Sequence, residues 1–227
     1  MTITLVFIAV MMAIFGGWLF SHSINVRPWE AAPADTGSTP MGRNGQLPPG
    51  VTAPRVGLAV FVAVATALFA LTISAYLMRM EMGHDWRTLP TPGLLWLNTA
   101  CLVLGSIALQ WAWNGARRGD ERSLRLGLGL GGGFTIAFVL GQGLAWQQLN
   151  AAGYYLVENP ANAFFFLLTA LHALHLLGGL AAWARTLFRV QRGAAPAAVR
   201  ASVELCALYW HFLLLLWVVL FALLLNT

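Results

Sequence analysis

Apolar residues run along this chain in long blocks, without the alternation of a half-buried strand or the single stripe of a surface helix. Six blocks reach the ~20 residues a helix needs to cross a hydrocarbon core of roughly 30 Å. They are Thr2–Phe20, Val56–Met78, Gly93–Trp113, Leu124–Trp146, Ala163–Phe188 and Ser202–Leu225. The pattern predicts an all-α, polytopic membrane helix bundle of six transmembrane helices. The first block lacks the basic flank and small-residue cleavage site of a secretory leader, so it reads as a span, with a cleaved or anchoring leader as the alternative. Between the first two blocks, "RPWEAAPADTGSTPMGRNGQLPPGVTAPR" is rich in Pro, Gly and small polar residues and reads as an irregular loop with no core of its own. Three regions follow: an N-terminal transmembrane helix (1–20), a Pro/Gly-rich loop (21–55) and a five-helix domain (56–227).

Composition agrees: 59% of residues are hydrophobic, 9% are charged, and mean hydropathy is +0.71, which excludes an ordinary soluble domain. Every basic residue is an arginine, and their distribution sets the orientation because short cytoplasmic loops collect positive charge. Arg27, Arg43 and Arg55 follow span 1; Arg117, Arg118, Arg122 and Arg125 follow span 3; Arg185, Arg189, Arg192 and Arg200 follow span 5. The alternate loops hold only Arg79 and Arg87. Both termini are therefore expected on the outer side, which requires an even number of spans. Topology and anionic lipid account for the net charge of +5 without nucleic acid.

Candidate chemistry lies in polar residues inside the blocks, because burying them in lipid is costly. Cys101 and Cys206 lack a CxxC spacing and read as small packing residues. "GLGLGGGFT" (Gly127 to Thr135) sits in a span and reads as a surface for close helix approach, not as a nucleotide loop. His172 and His175, three apart, share a helical face that Gly179 continues. Glu204 and His211, seven apart, share a face of the last span, and Glu204 is the one acidic side chain within the six blocks. Two readings of the histidines stand side by side. His172 or His175 opposite His211 would supply axial ligands to a haem, or the three would form a hydrogen-bonded network that fixes helix packing. Counting from the block ends puts His211 two to three turns from the inner end of its span and His175 in the outer half of its own, which strains a shared axial site. No nucleophile with its base and no convergent set of metal ligands is present.

These residues carry a resemblance. "YWHFLLLLW" (Tyr209 to Trp217) resembles the "YWHFVDVVW" signature in the last helix of subunit III of haem-copper cytochrome oxidases, with Glu204 also on that pattern. "FFFLLTALHALHLLGGL" is similar to the family's "FF..TG.HGLHVIIG" segment and puts Thr169, His172, His175 and Gly178 on its motif. "AYLMRM", "LPTPGLLWLNTACLVLGSIAL" and "LGQGLAWQQL" resemble upstream family segments in the same order, so the likeness spans about residues 56 to 227. It implies the five-span bacterial short form, with span 1 added. It also implies an accessory chain with no haem or copper of its own, beside the catalytic subunit I and the copper-binding subunit II in a bacterial cytoplasmic membrane. In the family, phospholipid lies in a cleft between helix groups, and cytochrome c meets the complex elsewhere.

The family's acid in "YWHFVDVVW" falls at Leu214, and the Glu of its "SE" pair aligns loosely with Ala67. Neither residue can hold a proton, so support of proton uptake through those carboxylates is lost or moved. The reading is a non-catalytic subunit of a haem-copper terminal oxidase that serves assembly, stability and lipid organisation. His172, His175, Glu204, Tyr209, Trp210 and His211 are its structural and lipid-cleft candidates. Arg55, Arg79, Arg117 and Arg185 sit where lipid phosphates would be held, or act as ordinary solvated charges. Two alternatives remain: a subunit III-like component of a nitric oxide reductase system, and a membrane b-type cytochrome ligated by histidine.

Overall fold

A computed structural model describes residues 52–83, 86–87 and 93–226. The expected helix over Thr2–Phe20 and nearly all of the Pro/Gly-rich loop lie outside the described residues. Five helices follow in order: α1 (Ala53–Met82), α2 (Leu94–Arg118), α3 (Glu121–Ala151), α4 (Pro160–Gln191) and α5 (Pro196–Leu225). Each is long and apolar enough to cross a membrane. They correspond to the last five predicted blocks but run past them, because a helix continues through the interface after the sequence turns polar. α5 starts at Pro196, not Ser202, and α1 starts at Ala53, inside the stretch read as loop.

Local chemistry sets the ends. Gly119 takes φ 75°, closes α2 by donating its N–H to Gly115 O, and leaves Asp120 to cap α3. The Asp120 carboxylate accepts from the N–H groups of Arg122 and Ser123 and from the Ser123 hydroxyl. The Ser123 hydroxyl, then its N–H, then Arg122 hold this carboxyl below the usual carboxylate range. Asn159 caps α4 through Ala161 N–H, with Pro160 in the first helical position. Its amide also donates to Arg87 O at 2.7 Å, tying the start of α4 to the segment after α1.

Short connections make successive helices antiparallel. The N-terminal end of α1 meets that of α5 through Arg55 and Glu204, and the C-terminal half of α5 meets the start of α2 through Phe221 and Trp96. Arg55, Arg117, Arg118, Arg122, Arg125, Arg185, Arg189, Arg192 and Arg200 thus gather at one end of the bundle, with Arg79 and Arg87 at the other.

Close packing joins α2 to α3 and α5, and α4 to α3 and α5. The α2–α3 contact is built on small residues, as association within lipid favours. A Cβ at Gly127 would lie 2.7 Å from Ala108 O, and one at Gly131 would meet the Leu109 side chain, whereas Gly129 and Gly133 face open space. α1 belongs to none of these close pairs. Its most apolar stretch is 17% buried, against 39% to 56% for the other four. The buried positions Ala65, Phe69, Ile73 and Tyr76 fall in one stripe along its later part.

Candidate functional site

Successive residues of a helix project about 100° apart, and Tyr209, Trp210 and His211 use that rotation to address three different helices. Tyr209 Oη donates to His175 O of α4 at 3.0 Å. Fully buried Trp210 donates from Nε1 to Thr135 Oγ1 of α3 at 2.8 Å. His211 turns to α2, where Nδ1 lies 2.5 Å from Ser106 Oγ and Nε2 2.9 Å from Gln110 Oε1. An amide oxygen only accepts, so Nε2 carries a proton and donates to Gln110. Trp217, two turns on, donates to Thr99 of α2 at 2.9 Å. Gly179 admits the aromatic pair to α4, since a Cβ there would lie 2.8 Å from the Tyr209 ring.

The paired histidines of α4 face different surroundings. His172 is fully buried between Phe138 of α3 and Trp217 of α5, with no hydrogen-bond partner at either ring nitrogen among the described residues. His175 turns towards α1, its ring 5.3 Å from that of Phe69 and 5.9 Å from that of Phe61, and donates from Nδ1 to Leu171 O. The expected strain in depth is corrected. Because α5 begins earlier than its apolar block, His211 and His175 each lie sixteenth in their helices, at the middle of the bundle. Direction separates them: both His211 nitrogens are engaged by α2, while His175 faces α1 and His172 faces α3 and α5. The set does not fit a haem held between α4 and α5. Among the described residues, no three His, Cys, Asp or Glu side chains group as a metal site would need.

Glu204 pairs with Arg55 of α1, Nη2 to Oε1 at 2.8 Å. Beside this pair opens a cleft of about 720 Å³ between the start of α1 and the facing surfaces of α4 and α5. Leu58, Phe61, Leu205, Tyr209 and Trp210 supply apolar and aromatic wall, while Arg185, Arg189, Thr186 and Ser202 supply polar groups. Gly57 and Gly178 also line it, and a Cβ at either meets nothing within 4 Å. Tyr209, Trp210 and Arg185 thus border the cleft; His172 and His211 do not. Leu214 is half-buried in α5 and Ala67 is exposed on α1.

Attention to titratable residues missed Thr99, Ser106, Gln110 and Thr135, the α2 and α3 partners of the aromatic cluster. Polar residues at helical spacing inside a span, as in Thr99, Ser106 and Gln110, are the signal that would have found them.

A sequence model of the family described as "Cytochrome c oxidase subunit III" matches residues 51–226. A Mycobacterium tuberculosis protein named "Probable cytochrome c oxidase subunit 3" is 32% identical over 158 residues, 68% of this chain and 76% of its own. Proteins named "Cytochrome c oxidase subunit 3" from Synechocystis sp. and Thermostichus vulcanus are 29% identical over 172 residues and 27% over 173. These matches cover 74% of this chain in each case, and 72% and 85% of the respective relative.

Proposed function

The chain belongs to the cytochrome c oxidase subunit III family, and from that premise we propose that it organises lipid and helix packing beside the catalytic core of a bacterial haem-copper oxidase. It is an accessory membrane subunit of that class of complex. Its immediate partners are subunits I and II, which carry the haem and copper, while cytochrome c meets the complex away from this chain. The nine-to-two division of arginines between the bundle's ends supports an orientation with the arginine-rich end cytoplasmic and Leu225 outward in the bacterial inner membrane.

The observation that carries the lipid role is the cleft. Its guanidinium groups, Arg185 and Arg189, stand towards the arginine-rich end of α4, and its aromatic wall runs to Tyr209 and Trp210 in mid-bundle. That polarity suits a phospholipid: phosphate against planar guanidinium, acyl chain against Leu58, Phe61 and Leu205. His172, Trp210 and His211 contribute by fixing α2, α3, α4 and α5 against one another, so that the cleft keeps its walls. Neither alternative is favoured. The relatives bear oxidase names, and the His211 ring nitrogens are both committed to α2.

The test is to purify the oxidase with and without this chain. The expected result is equal haem and copper per core, less phospholipid, and a shorter catalytic lifetime without it. Loss of haem in proportion to the chain would overturn the reading. Gly178→Phe, projecting into the cleft, should lower bound phospholipid while the subunit stays in the complex.

A further inference from the structure

α1 is seated unevenly. None of residues 53–64 is buried, whereas Ala65, Phe69, Ile73 and Tyr76 beyond them are. Its far end is locked by aromatic contacts, Tyr76 lying 5.4 Å from Phe164 and 5.0 Å from Trp86, ring to ring. In mid-membrane, Phe69 rests on His175 and Phe61 lies 5.8 Å from Tyr209. The arginine-rich end is where the cleft opens, and there the Arg55–Glu204 pair bridges α1 to α5. The residues flanking the pair, Pro54 and Gly57 on one side and Ser202 and Leu205 on the other, line the cleft itself.

We propose that the start of α1, residues 53–64, is a movable wall of this cleft, pivoting on Phe69 and latched by the Arg55–Glu204 ion pair, so that the latch governs how fast a phospholipid enters and leaves. This rests on the lipid reading above and adds its regulation. A pivot follows from the distribution of contacts: opening at residues 53–64 breaks the Arg55–Glu204 pair and parts the half-exposed Phe61 ring from Tyr209 and His175 but uncovers no buried residue of α1, while displacement of the far half would expose Phe69 and Tyr76. The latch is weak enough to cycle. Arg55 is 46% exposed and Glu204 21%, and exposed ion pairs contribute at most ~1 kcal/mol.

The experiment uses the complete oxidase in lipid nanodiscs, loaded with deuterated phosphatidylglycerol and chased with unlabelled lipid, with retained label followed by native mass spectrometry. Arg55→Gln and Glu204→Gln should each shorten the exchange half-time about fivefold, the equivalent of ~1 kcal/mol, at unchanged bound stoichiometry. The charge-swapped double variant Arg55→Glu/Glu204→Arg should restore it, which a general folding defect would not allow. Unchanged half-times on a wild-type complex that holds lipid would overturn the latch alone. A fall in stoichiometry at unchanged exchange rate would also overturn it, making the pair a headgroup ligand. A wild-type complex that retains no lipid at all would sink both the latch and the lipid reading.

Discussion

At the scale of single residues, hydrogen bonding between tryptophan, histidine and small polar side chains gives this bundle its specificity. In lipid, apolar surface alone does not choose a neighbour, because acyl chains are as apolar as leucine. The indole N–H groups of Trp146, Trp183, Trp210 and Trp217 each find an oxygen on another helix: Thr169, Leu128 O, Thr135 and Thr99. Replacing His211 by Leu strands Ser106 and Gln110 and should cost about 1–3 kcal/mol, the penalty for unpaired buried polar groups. The measurable outcome is a lower temperature for release of the subunit from the purified complex, at constant haem per core. Asp120 is a case outside the membrane. Its lowered pKa means the cap is fully stabilising above the ordinary carboxylate range and is lost only as pH falls through the lowered value. The protection factors of the first-turn amides of α3, taken against the intrinsic exchange rate at each pH, should therefore hold across the neutral range and fall only in acid. Asp120→Ala should lower these protection factors across the whole neutral range.

At the scale of elements, the hydrophobic pattern was sufficient to read five helices and their order, since each apolar block is long and bounded by polar or glycine-rich residues. It could not show where the helices stop, because a helix needs no apolar residues once it reaches the interface. That is why α5 starts six residues before its block and why the depth of His211 was misjudged. The reading of Gly127–Thr135 as a close-packing surface has its counterpart in the glycine faces. Gly127 and Gly131 press on α2, while Gly129 and Gly133 point away. Gly127→Val should cost about 1–3 kcal/mol through overpacking against Ala108 and Ala112 and lower the thermal stability of the detergent-solubilised subunit, whereas Gly129→Val should leave it within experimental scatter. The peripheral place of α1 was not legible, because its block is among the most apolar in the chain. A uniformly apolar helix looks the same in sequence whether lipid or protein surrounds it.

At the scale of the whole molecule, family membership was legible because the Tyr-Trp-His run and the paired histidines stand at fixed spacing in consecutive spans. What each residue of that run does was not, because it depends on which helix lies in each direction around α5. The cleft was equally hidden: Arg55 and Glu204 are 149 positions apart, and residues from three helices form its walls. Ala67 and Leu214 carry no carboxylate, so the proposed role rests on packing and lipid contact. The most direct measurement of its role is recovery of the tagged full chain from bacterial membranes in mild detergent, with every co-purifying protein identified and a visible spectrum recorded. Co-purification of a many-span haem-ligating subunit and a copper-binding subunit is expected, with no haem signal once this chain is separated from them. Recovery of the chain alone with a haem spectrum of its own, or with a nitric oxide reductase in place of the oxidase, would contradict it.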